Sequence, residues 1–377
     1  MTQHVLYCHP GAELYGSDRM AARTVEALIE AGMTVTVVLP NGGPLVTMLE
    51  AAGARVSIVD VPVLRKSLLR PANLGRLIAG MPRTLAGLVR VIRANSVDTI
   101  LVNTITQPWW ILAGRIARKP VATHVREAES SINRLVQIAL VSPVAASQLI
   151  VCNSSATRDH VVRNTLGSKR KTVVVYNGKD WTPYFRRSFA GLSDPVRVLF
   201  VGRLNARKGP DTAIEAIAEL QRRGIDASLT LAGSIFPGYE WYEEELRDLA
   251  HRLGVTEACR FLGFVSDTEP LYENADVVIV PSRAEPFGTV AAEAMAAERP
   301  TVVSNVQGLV EIVNGPEVGL VFEAGDSAGL ADRLQTLVAE PELAARLAVQ
   351  GRRSVLQRFS VDQYSTAMVG LLQSLRR

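Results

Sequence analysis

Short apolar runs alternate with amphipathic helical runs along almost the whole chain, and no other feature restricts the possible folds as strongly. The first apolar run, His4–His9, is followed by a helical pattern over Ser17–Ala31 that ends at Gly32. Apolar runs separated by helices are typical of strands buried on both faces and joined by helical crossovers. The sequence therefore predicts parallel βαβ units throughout. We expect strands at residues 4–9, 34–39, 55–59, 99–102, 121–125, 148–152, 172–176, 196–201, 228–232, 260–262, 277–280, 301–304 and 319–322.

The alternation is interrupted by a segment rich in Gly, Pro, Asp and Ser at residues 178–195. A chain of 377 residues is long enough to form two domains with separate cores. We therefore predict a first doubly wound α/β domain over residues 1–185, a second over 186–360, and an amphipathic C-terminal helix within 361–377. Doubly wound sheets bind ligands at the carboxyl ends of their strands, so functional residues are expected in the loops that follow strands.

Two glutamates in the second half of the chain are the strongest candidates for a ligand site. Glu285 lies in the loop after the strand at 277–280, and Glu293 lies in a helix that should begin near Gly288. That helix is apolar nearly all round, so a buried charge on it needs a partner or a ligand. Its N-terminus presents unpaired N–H groups that suit anions and sugar hydroxyls. The alternative is a pair of ordinary solvated acids.

The segment Pro281–Ala296, in which seven residues separate the two glutamates, resembles the signature of the retaining GT-B glycosyltransferases of family 4. Other segments that match this family occur in its order: FVGRLNARKG at 200–209, LAG at 231–233 and FLGF at 261–264. The resemblance is specific over residues 196–323 and looser in the first half. It implies two Rossmann-like domains that face each other across a cleft, with the last helix crossing back onto the first domain.

The resemblance implies that the second domain binds a nucleotide diphosphate sugar of the UDP or GDP type as donor. Arg203 and Lys208 would hold the diphosphate and stabilise the leaving group, because Arg offers a planar fork and Lys a compact charge. Glu293 would accept hydrogen bonds from the ribose hydroxyls, and Glu285 would orient the donor sugar. Backbone N–H groups that contact the sugar would come from Phe287, Gly288 and Thr289. From the residues alone, the Gly-Arg…Lys-Gly turn could also be a charged surface turn.

Two further donor contacts depend on weaker patterns. Phe264 lies where the family places the nucleotide base, but it could equally be an ordinary core aromatic. Gly16, just before the first helix, would allow the backbone to approach a phosphate. The family often has paired glycines at this point, whereas this chain has Gly16-Ser17.

The first domain is expected to bind the acceptor. His124, near the end of the strand at 121–125, either makes a local structural hydrogen bond or, as similar family segments imply, contacts the donor sugar and takes part in catalysis. Asn103 and Trp109 follow the preceding strand and could line an acceptor pocket, although a tryptophan is equally suited to a core or an interface. The other predicted acceptor contacts are Tyr15, Arg126 and Glu127.

The charge is distributed unevenly. The first 187 residues carry 23 Lys and Arg against 11 Asp and Glu, and the remainder carries 18 against 26. Residues 61–97 contain seven cations interleaved with apolar residues and no acid. This composition suits an anionic membrane surface and a glycan or lipid-linked acceptor, or else a solvated basic face over a core. Pro71 and Pro82 should break the segment into separate pieces.

Several classes of protein are excluded or disfavoured. No Asp-x-Asp pair or other metal-ligand spacing is present, so we expect no metal and no cofactor beyond the donor substrate. Cys8, Cys152 and Cys259 should be buried free thiols, and with no secretory signal pattern we expect a cytoplasmic protein, docked on the inner face of the plasma membrane if residues 61–97 bind lipid. The uncharged run 135–157 should form a buried helix and a strand rather than a membrane span. No nucleic-acid module is recognised.

The sequence thus predicts a retaining, metal-independent glycosyltransferase that acts in the synthesis of cell-surface polysaccharide or glycolipid. Retention by double displacement would need a carboxylate on the far face of the sugar, for which Glu13 and Glu127 are candidates. The resemblance implies instead that the leaving group departs and the acceptor attacks on the same face. The alternatives are a GT-B sugar-nucleotide epimerase and a non-catalytic nucleotide-sugar-binding protein.

Overall fold

The computed structural model describes residues 2–14, 16–64, 71–128, 133–185, 187–236 and 238–375. The chain divides into two α/β units. Unit 1 comprises Met1–Gly178 and Val361–Arg377, and unit 2 comprises Lys179–Ser360. Each unit contains one parallel sheet with helices packed on it, so the predicted pair of doubly wound domains is confirmed.

The sheet of unit 1 has seven parallel strands in the order β3-β2-β1-β4-β5-β6-β7. Its strands are β1 His4–Cys8, β2 Thr34–Leu39, β3 Arg55–Ile58, β4 Thr99–Asn103, β5 Val121–Val125, β6 Leu149–Cys152 and β7 Thr172–Val174. The helices between them are α1 Gly16–Glu30, α2 Pro44–Ala51, α3 Pro71–Ala94, α4 Pro108–Ile116, α5 Arg134–Val141 and α6 Ser155–Asn164.

The sheet of unit 2 has six parallel strands in the order β10-β9-β8-β11-β12-β13. Its strands are β8 Val196–Val201, β9 Ala227–Ala232, β10 Cys259–Gly263, β11 Val277–Val280, β12 Thr301–Ser304 and β13 Leu320–Phe322. Its helices are α7 Pro210–Arg222, α8 Glu240–Arg252, α9 Glu269–Glu273, α10 Thr289–Ala296, α11 Leu309–Ile312, α12 Ser327–Ala339 and α13 Pro341–Arg358.

The alternation of side chains along a strand explains why unit 1 needs helices on both faces of its sheet. Val5 and Tyr7 of β1 enter one apolar cluster, whereas Leu6 and Cys8 enter the cluster on the other face. All four side chains are fully buried. Since burial of one such apolar side chain contributes about 1.5–3 kcal/mol, a strand of this kind is stable only between two covering layers.

The last helix, α14 Val361–Ser374, packs in unit 1, as predicted. Its Tyr364, Met368 and Leu372 are buried in the cluster that contains α1. The boundary after Gly178 lies seven residues before the predicted one. Residues 179–185 belong to unit 2, where the Trp181 indole N–H donates to the carbonyl of Phe359 at 2.8 Å.

Two helix predictions were wrong. Pro71 begins α3, but Pro82 does not end it: the helix continues to Ala94, because its buried side chains Leu88 and Ile92 pack into the core and outweigh one lost hydrogen bond. The helix predicted to be buried within 135–157 is the short α5, whose buried side chain is Val141. In the described part of the chain, every helix is too short or too polar to cross a bilayer.

Candidate functional site

The sheet of unit 2 places its candidate donor-binding residues where the strand order reverses. In unit 2 the reversal lies between β8 and β11, which pair in parallel with Phe200 opposite Ile279. The loops that follow these two strands contain Arg203 and Glu285. Doubly wound folds bind ligands at such a point, because the crossover helices diverge there to opposite faces and leave a crevice.

The two loops of unit 2 are hydrogen-bonded to each other. The backbone N–H of Arg283 donates to the carbonyl of Arg207 at 2.7 Å, and the guanidinium of Arg207 donates to the carbonyl of Ala284 at 3.1 Å. Gly209 has a left-handed φ of 70°, and a Cβ on it would lie 2.1 Å from the carbonyl oxygen of Pro281. Only glycine permits this approach, so the predicted phosphate-binding segment and the glutamate segment form one layer.

The ammonium group of Lys208 forms an ion pair with the carboxylate of Glu285. The side chains are only 16% and 13% exposed, so the pair is largely removed from water. Sequence reasoning assigned one residue to the diphosphate and the other to the sugar, and the structure brings them into direct contact. An incoming anion could replace the carboxylate as the partner of Lys208.

Arg203 lies beside an aromatic ring that the sequence analysis did not consider. Its guanidinium carbon is 3.5 Å from the ring centroid of Phe236, which fixes the plane of the charged group. Phe264 is 67% exposed, so the interpretation of this residue as an ordinary core aromatic is wrong. Its predicted contact with a nucleotide base stays a prediction.

The helix α10 begins just after its N-cap Gly288, near the predicted position, and Gly288 has a left-handed φ of 108°. A Cβ on Gly288 would lie 2.7 Å from a methyl group of Leu309, so glycine is required for space as well as for conformation. The ring of Phe287 is buried edge-on against Phe359, with centroids 5.6 Å apart. Phe287 therefore anchors the loop through its side chain, while Thr289 is the first residue of the helix.

Glu293 is buried on α10 among polar groups of unit 2, with the Tyr184 hydroxyl beside it. Lys179 donates to its Oε1 at 2.6 Å, and the hydroxyl of Tyr272 donates to its Oε2 at 2.8 Å. The expectation that this charge needs a partner is confirmed. Burial, and then the charge of Glu293, raises the pKa of Tyr272 well above its ordinary value, so the phenol remains a donor at physiological pH.

The corresponding edge of unit 1 carries a hydrogen-bond network centred on Arg126. The guanidinium donates to Asn103 Oδ1 at 2.9 Å and to Asn177 Oδ1 at 2.8 Å. It also contacts His124 Nδ1 at 3.2 Å and the Tyr364 hydroxyl at 3.4 Å. Asn103 was predicted to contact the acceptor, but it is fully buried and orients Arg126 instead.

The same network fixes the proton of His9. The amide of Asn103 donates to His9 Nδ1 at 2.7 Å, so the ring proton lies on Nε2 and points to Asp18 Oδ1 at 2.8 Å. Burial lowers the pKa of His9, and the ring is therefore neutral. Neither His9 nor Asp18 was predicted, although His9 directly follows a strand at the reversal point of the sheet.

His124 is neutral for the same reason. Burial, and then the charge of Arg126, lowers its pKa well below the ordinary value. Because a guanidinium only donates, Nδ1 accepts and the proton lies on Nε2. Among the described residues this buried N–H has no hydrogen-bond partner, and a buried donor of that kind costs about 1–3 kcal/mol. A bound oxygen atom would satisfy it.

The remaining residues predicted in the first domain have different surroundings. Trp109 is buried, and its indole N–H donates to the carbonyl of Pro62 at 2.8 Å, so the core reading is favoured over an acceptor contact. The carboxylate of Glu127 accepts from the backbone N–H of Arg126 at 3.1 Å, and burial raises its pKa. No described atom lies within 4 Å of the Cβ position at Gly16. Tyr15 lies outside the described residues.

Two families match the chain. Residues 15–181 match the family described as Glycosyltransferase Family 4, and residues 185–354 match the family described as Glycosyl transferases group 1. The first match lies almost entirely within unit 1, and the second lies within unit 2.

Curated relatives share about a third of their residues with the chain over part of its length. The glycogen synthase of Mycobacterium tuberculosis is 33% identical over 62% of this chain and 55% of its own length. The D-inositol 3-phosphate glycosyltransferase of Rhodococcus opacus is 34% identical over 64% of this chain and 55% of its own. The chain thus spans little more than half the length of the curated relatives it matches.

Solved structures match over the full length. The Anabaena protein Alr3699/HepE in complex with UDP has a TM-score of 0.83 at 24% identity, and the match covers 99% of this chain and 100% of the other. The sucrose-phosphate synthase of Thermosynechococcus elongatus has a TM-score of 0.75 at 22% identity and covers 99% of both chains. These similarities support the GT-B fold.

Proposed function

Since the chain belongs to glycosyltransferase family 4 and has the GT-B fold, we propose that it transfers a hexose-type residue from a nucleotide diphosphate sugar to an acceptor hydroxyl. The observation that carries this proposal is the convergence of Arg203, Lys208 and Glu285 at the reversal point of the sheet in unit 2. Two cations and a carboxylate on one edge suit a diphosphate joined to a sugar.

Arg203 and Lys208 bind the diphosphate and stabilise the negative charge that develops on the leaving nucleotide. Binding replaces Glu285 by phosphate as the partner of Lys208, so the ion pair exchanges one anion for another. The guanidinium of Arg203 is held on the ring of Phe236 and needs little reorganisation when the donor arrives. These side chains carry out the charge stabilisation, and we propose no metal for this role.

The carboxylates bind the sugar parts of the donor. Glu285, released from Lys208, orients the transferred sugar, and the N-terminal N–H groups of α10 contact its hydroxyls. Glu293 accepts hydrogen bonds from the ribose. UDP-sugars are the first donors to examine, because the structure of Alr3699/HepE was solved with UDP and with UDP-glucose.

Unit 1 binds the acceptor, and its His124 donates to a sugar hydroxyl. The neutral imidazole presents an Nε2–H with no described partner, which a sugar hydroxyl can accept. Arg126 holds the ring in this tautomer through Nδ1. We propose transfer with retention on a single face of the sugar, because the signature that Pro281–Ala296 resembles implies retention and because Glu127 already accepts from two backbone N–H groups.

The direct test is to measure thermal unfolding with UDP-glucose, GDP-mannose and ADP-glucose, followed by product analysis. A donor present at one hundred times its Kd stabilises the protein by about 2.7 kcal/mol, whereas the other two should have little effect. Proton NMR of the product formed with the best donor should show the anomeric configuration of that donor. Stabilisation by none of the three, or an inverted product, would contradict the proposal.

The same experiment distinguishes a transferase from the two alternatives, an epimerase and a non-catalytic binding protein. Conversion of the donor sugar to an epimer without any acceptor would indicate an epimerase. Binding without hydrolysis or transfer on a broad panel of glycan and lipid-linked acceptors would indicate a binding protein. A transferase hydrolyses its donor slowly when it is alone, and its rate of donor consumption rises only when an acceptor is added.

We propose in addition that residues 61–97 bind anionic lipid at the inner face of the plasma membrane and so bring a lipid-linked acceptor to unit 1. Support comes from the composition of this segment and from the exposed cations Arg83, Arg90 and Arg93 on α3. Flotation with acidic vesicles should recover the protein, and the triple variant with glutamine at these positions should float less. Equal recovery with neutral and acidic vesicles would contradict this proposal.

A further inference from the structure

Lys179 is the first residue of unit 2, and its side chain ends in a cluster that neither the sequence nor the comparisons assign. Its ammonium group contacts the Tyr184 hydroxyl at 2.5 Å and Glu293 Oε1 at 2.6 Å. Its backbone N–H donates to the carbonyl of Phe359 at 3.2 Å, so the backbone from which the side chain extends is also fixed.

The carboxylate of Glu293 is therefore held at both oxygens by residues of its own unit. Lys179 occupies one acceptor position on Oε1, and the Tyr272 hydroxyl occupies one on Oε2. An ionised carboxylate has about four acceptor positions, two on each oxygen. The Tyr184 hydroxyl also lies beside the carboxylate, so the acceptor capacity that remains for a ligand is limited, and its direction is set by these three neighbours.

The surroundings of this carboxylate explain why a cation is needed. The Glu293 side chain is 11% exposed, and α10 carries apolar side chains around it. A buried carboxylate with two phenols for neighbours would be poorly compensated, because phenols bring hydrogen bonds without charge. Lys179 is 33% exposed and brings a positive charge from the solvent side.

We propose that Lys179 is a positioning residue for the donor ribose: it compensates and orients Glu293 so that the acceptor positions left free on the carboxylate meet the ribose hydroxyls. This inference rests on the proposed function, since it takes Glu293 as the ribose-binding group. Lys179 itself does not touch the nucleotide. Its effect should therefore appear only with ligands that have ribose hydroxyls.

The experiment measures the Kd of UDP and of GDP by calorimetry, each beside its dideoxyribose analogue, which lacks both hydroxyls. Wild type should bind at least one of the two natural nucleotides about 10- to 100-fold more tightly than its analogue, as expected for hydrogen bonds to a charged group. In Lys179→Met that preference should fall to about 3-fold or less, while the Kd of the analogue stays unchanged. Lys179→Arg should restore most of it.

A matched control is Arg346→Met, which removes the cation of an exposed ion pair on α13 and should leave both Kd values unchanged. Ribose-independent binding by wild type, or no binding, would overturn the proposed role of Glu293 and this inference together. A ribose preference that persists in Lys179→Met would overturn this inference alone. Equal losses of the nucleotide and its analogue in that variant would show that Lys179 only maintains the fold, which also overturns it.

Discussion

Each unit carries its candidate groups at the carboxyl edge of its own sheet, but the two units hold their charged groups in different ways. In unit 2 the cations face carboxylates directly, as in the pairs Lys208–Glu285 and Lys179–Glu293. In unit 1 the guanidinium of Arg126 donates to neutral acceptors on Asn103, Asn177 and His124. The first arrangement joins opposite charges, and the second surrounds one charge with oriented dipoles.

This difference predicts which residues matter for ligand binding and which matter for the stability of their unit. A pair of opposite charges can exchange one partner for a ligand of the same sign, so its residues should matter most for donor binding and turnover. A network of buried neutral groups loses several hydrogen bonds when one member is removed, so its residues should matter most for the stability of their unit. Substitutions in the two units should therefore give different measurements, with the largest effect expected in unit 2.

The largest effect is expected when the two cations of unit 2 that we propose to bind the diphosphate are removed. Arg203→Ala combined with Lys208→Ala should lower kcat/KM by about 10²–10⁴, because loss of one preorganised electrostatic contact costs about 10²–10³. Circular dichroism should show the wild-type fold. Steady-state kinetics with the best donor is the measurement, and Arg247→Ala, in a surface ion pair of α8, is the control. A double variant with wild-type kcat/KM would contradict the expectation that the charged residues of unit 2 serve donor binding and turnover.

In unit 1 the matching change should affect stability more than binding. Arg126→Met leaves Asn103 Oδ1 and Asn177 Oδ1 without a described donor, at about 1–3 kcal/mol for each buried group. We expect the free energy of unfolding of unit 1 to fall by about 3–5 kcal/mol. Hydrogen exchange resolved by peptide should show faster exchange in unit 1 and unchanged exchange in unit 2. Uniformly faster exchange would indicate that the two units unfold as one.

The same contrast explains what the sequence could predict. The thirteen strands found among the described residues, and their order along the chain, follow from apolar runs, because strands buried on both faces leave a local signal. The candidate donor site could be proposed for a related reason: Glu285 and Glu293 lie on one loop and helix, and Arg203 and Lys208 lie on another loop, so their spacing is local. The continuity of helix α3 was not predicted, because packing of its apolar face outweighs the local effect of Pro82.

The partners that complete each site are distant in sequence. Lys179 lies 114 positions from Glu293, and Tyr364 lies 238 positions from Arg126. No local pattern relates such residues, because their contact depends on how the sheets and the C-terminal helix pack. The same limit applies to Trp109 and Asn103, whose burial decides between core and acceptor roles and is set by tertiary packing.

A pH experiment sharpens the comparison, because four of the five histidines lie in unit 1. Burial lowers the pKa of His4, His9 and His124, so the unfolded chain takes up protons near pH 6.5 that the folded unit does not. Stability of unit 1 should therefore be complete above pH 6.5 and be lost as the pH falls towards 5. Each fully shifted histidine contributes at most about 1.4 kcal/mol per pH unit.

The contribution of a single histidine can be isolated by comparing wild type with His124→Gln. The variant should lose less stability between pH 7.5 and 5.5, by up to about 1.4 kcal/mol per pH unit, in urea unfolding followed by hydrogen exchange of unit 1. Burial raises the pKa of Glu127, which acts in the opposite direction at lower pH and is common to both proteins. Identical pH profiles would show that His124 is protonated equally in both states.

The smallest effect tests whether α14 takes part in the network or merely covers it. The Tyr364 hydroxyl bonds Thr24 Oγ1 at 2.6 Å and accepts from Arg126 at 3.4 Å. Tyr364→Phe keeps the ring in the core and removes only these bonds, and Thr24 keeps its bond to the carbonyl of Met20. We therefore expect a loss of about 1 kcal/mol in unit 1 and none in unit 2. Because Arg126 also orients His124, a network role predicts a further change in kcat at unchanged KM for the donor. If α14 only covers the network, kcat should stay at the wild-type value. That result would show that the functional part of the network lies within the first 178 residues.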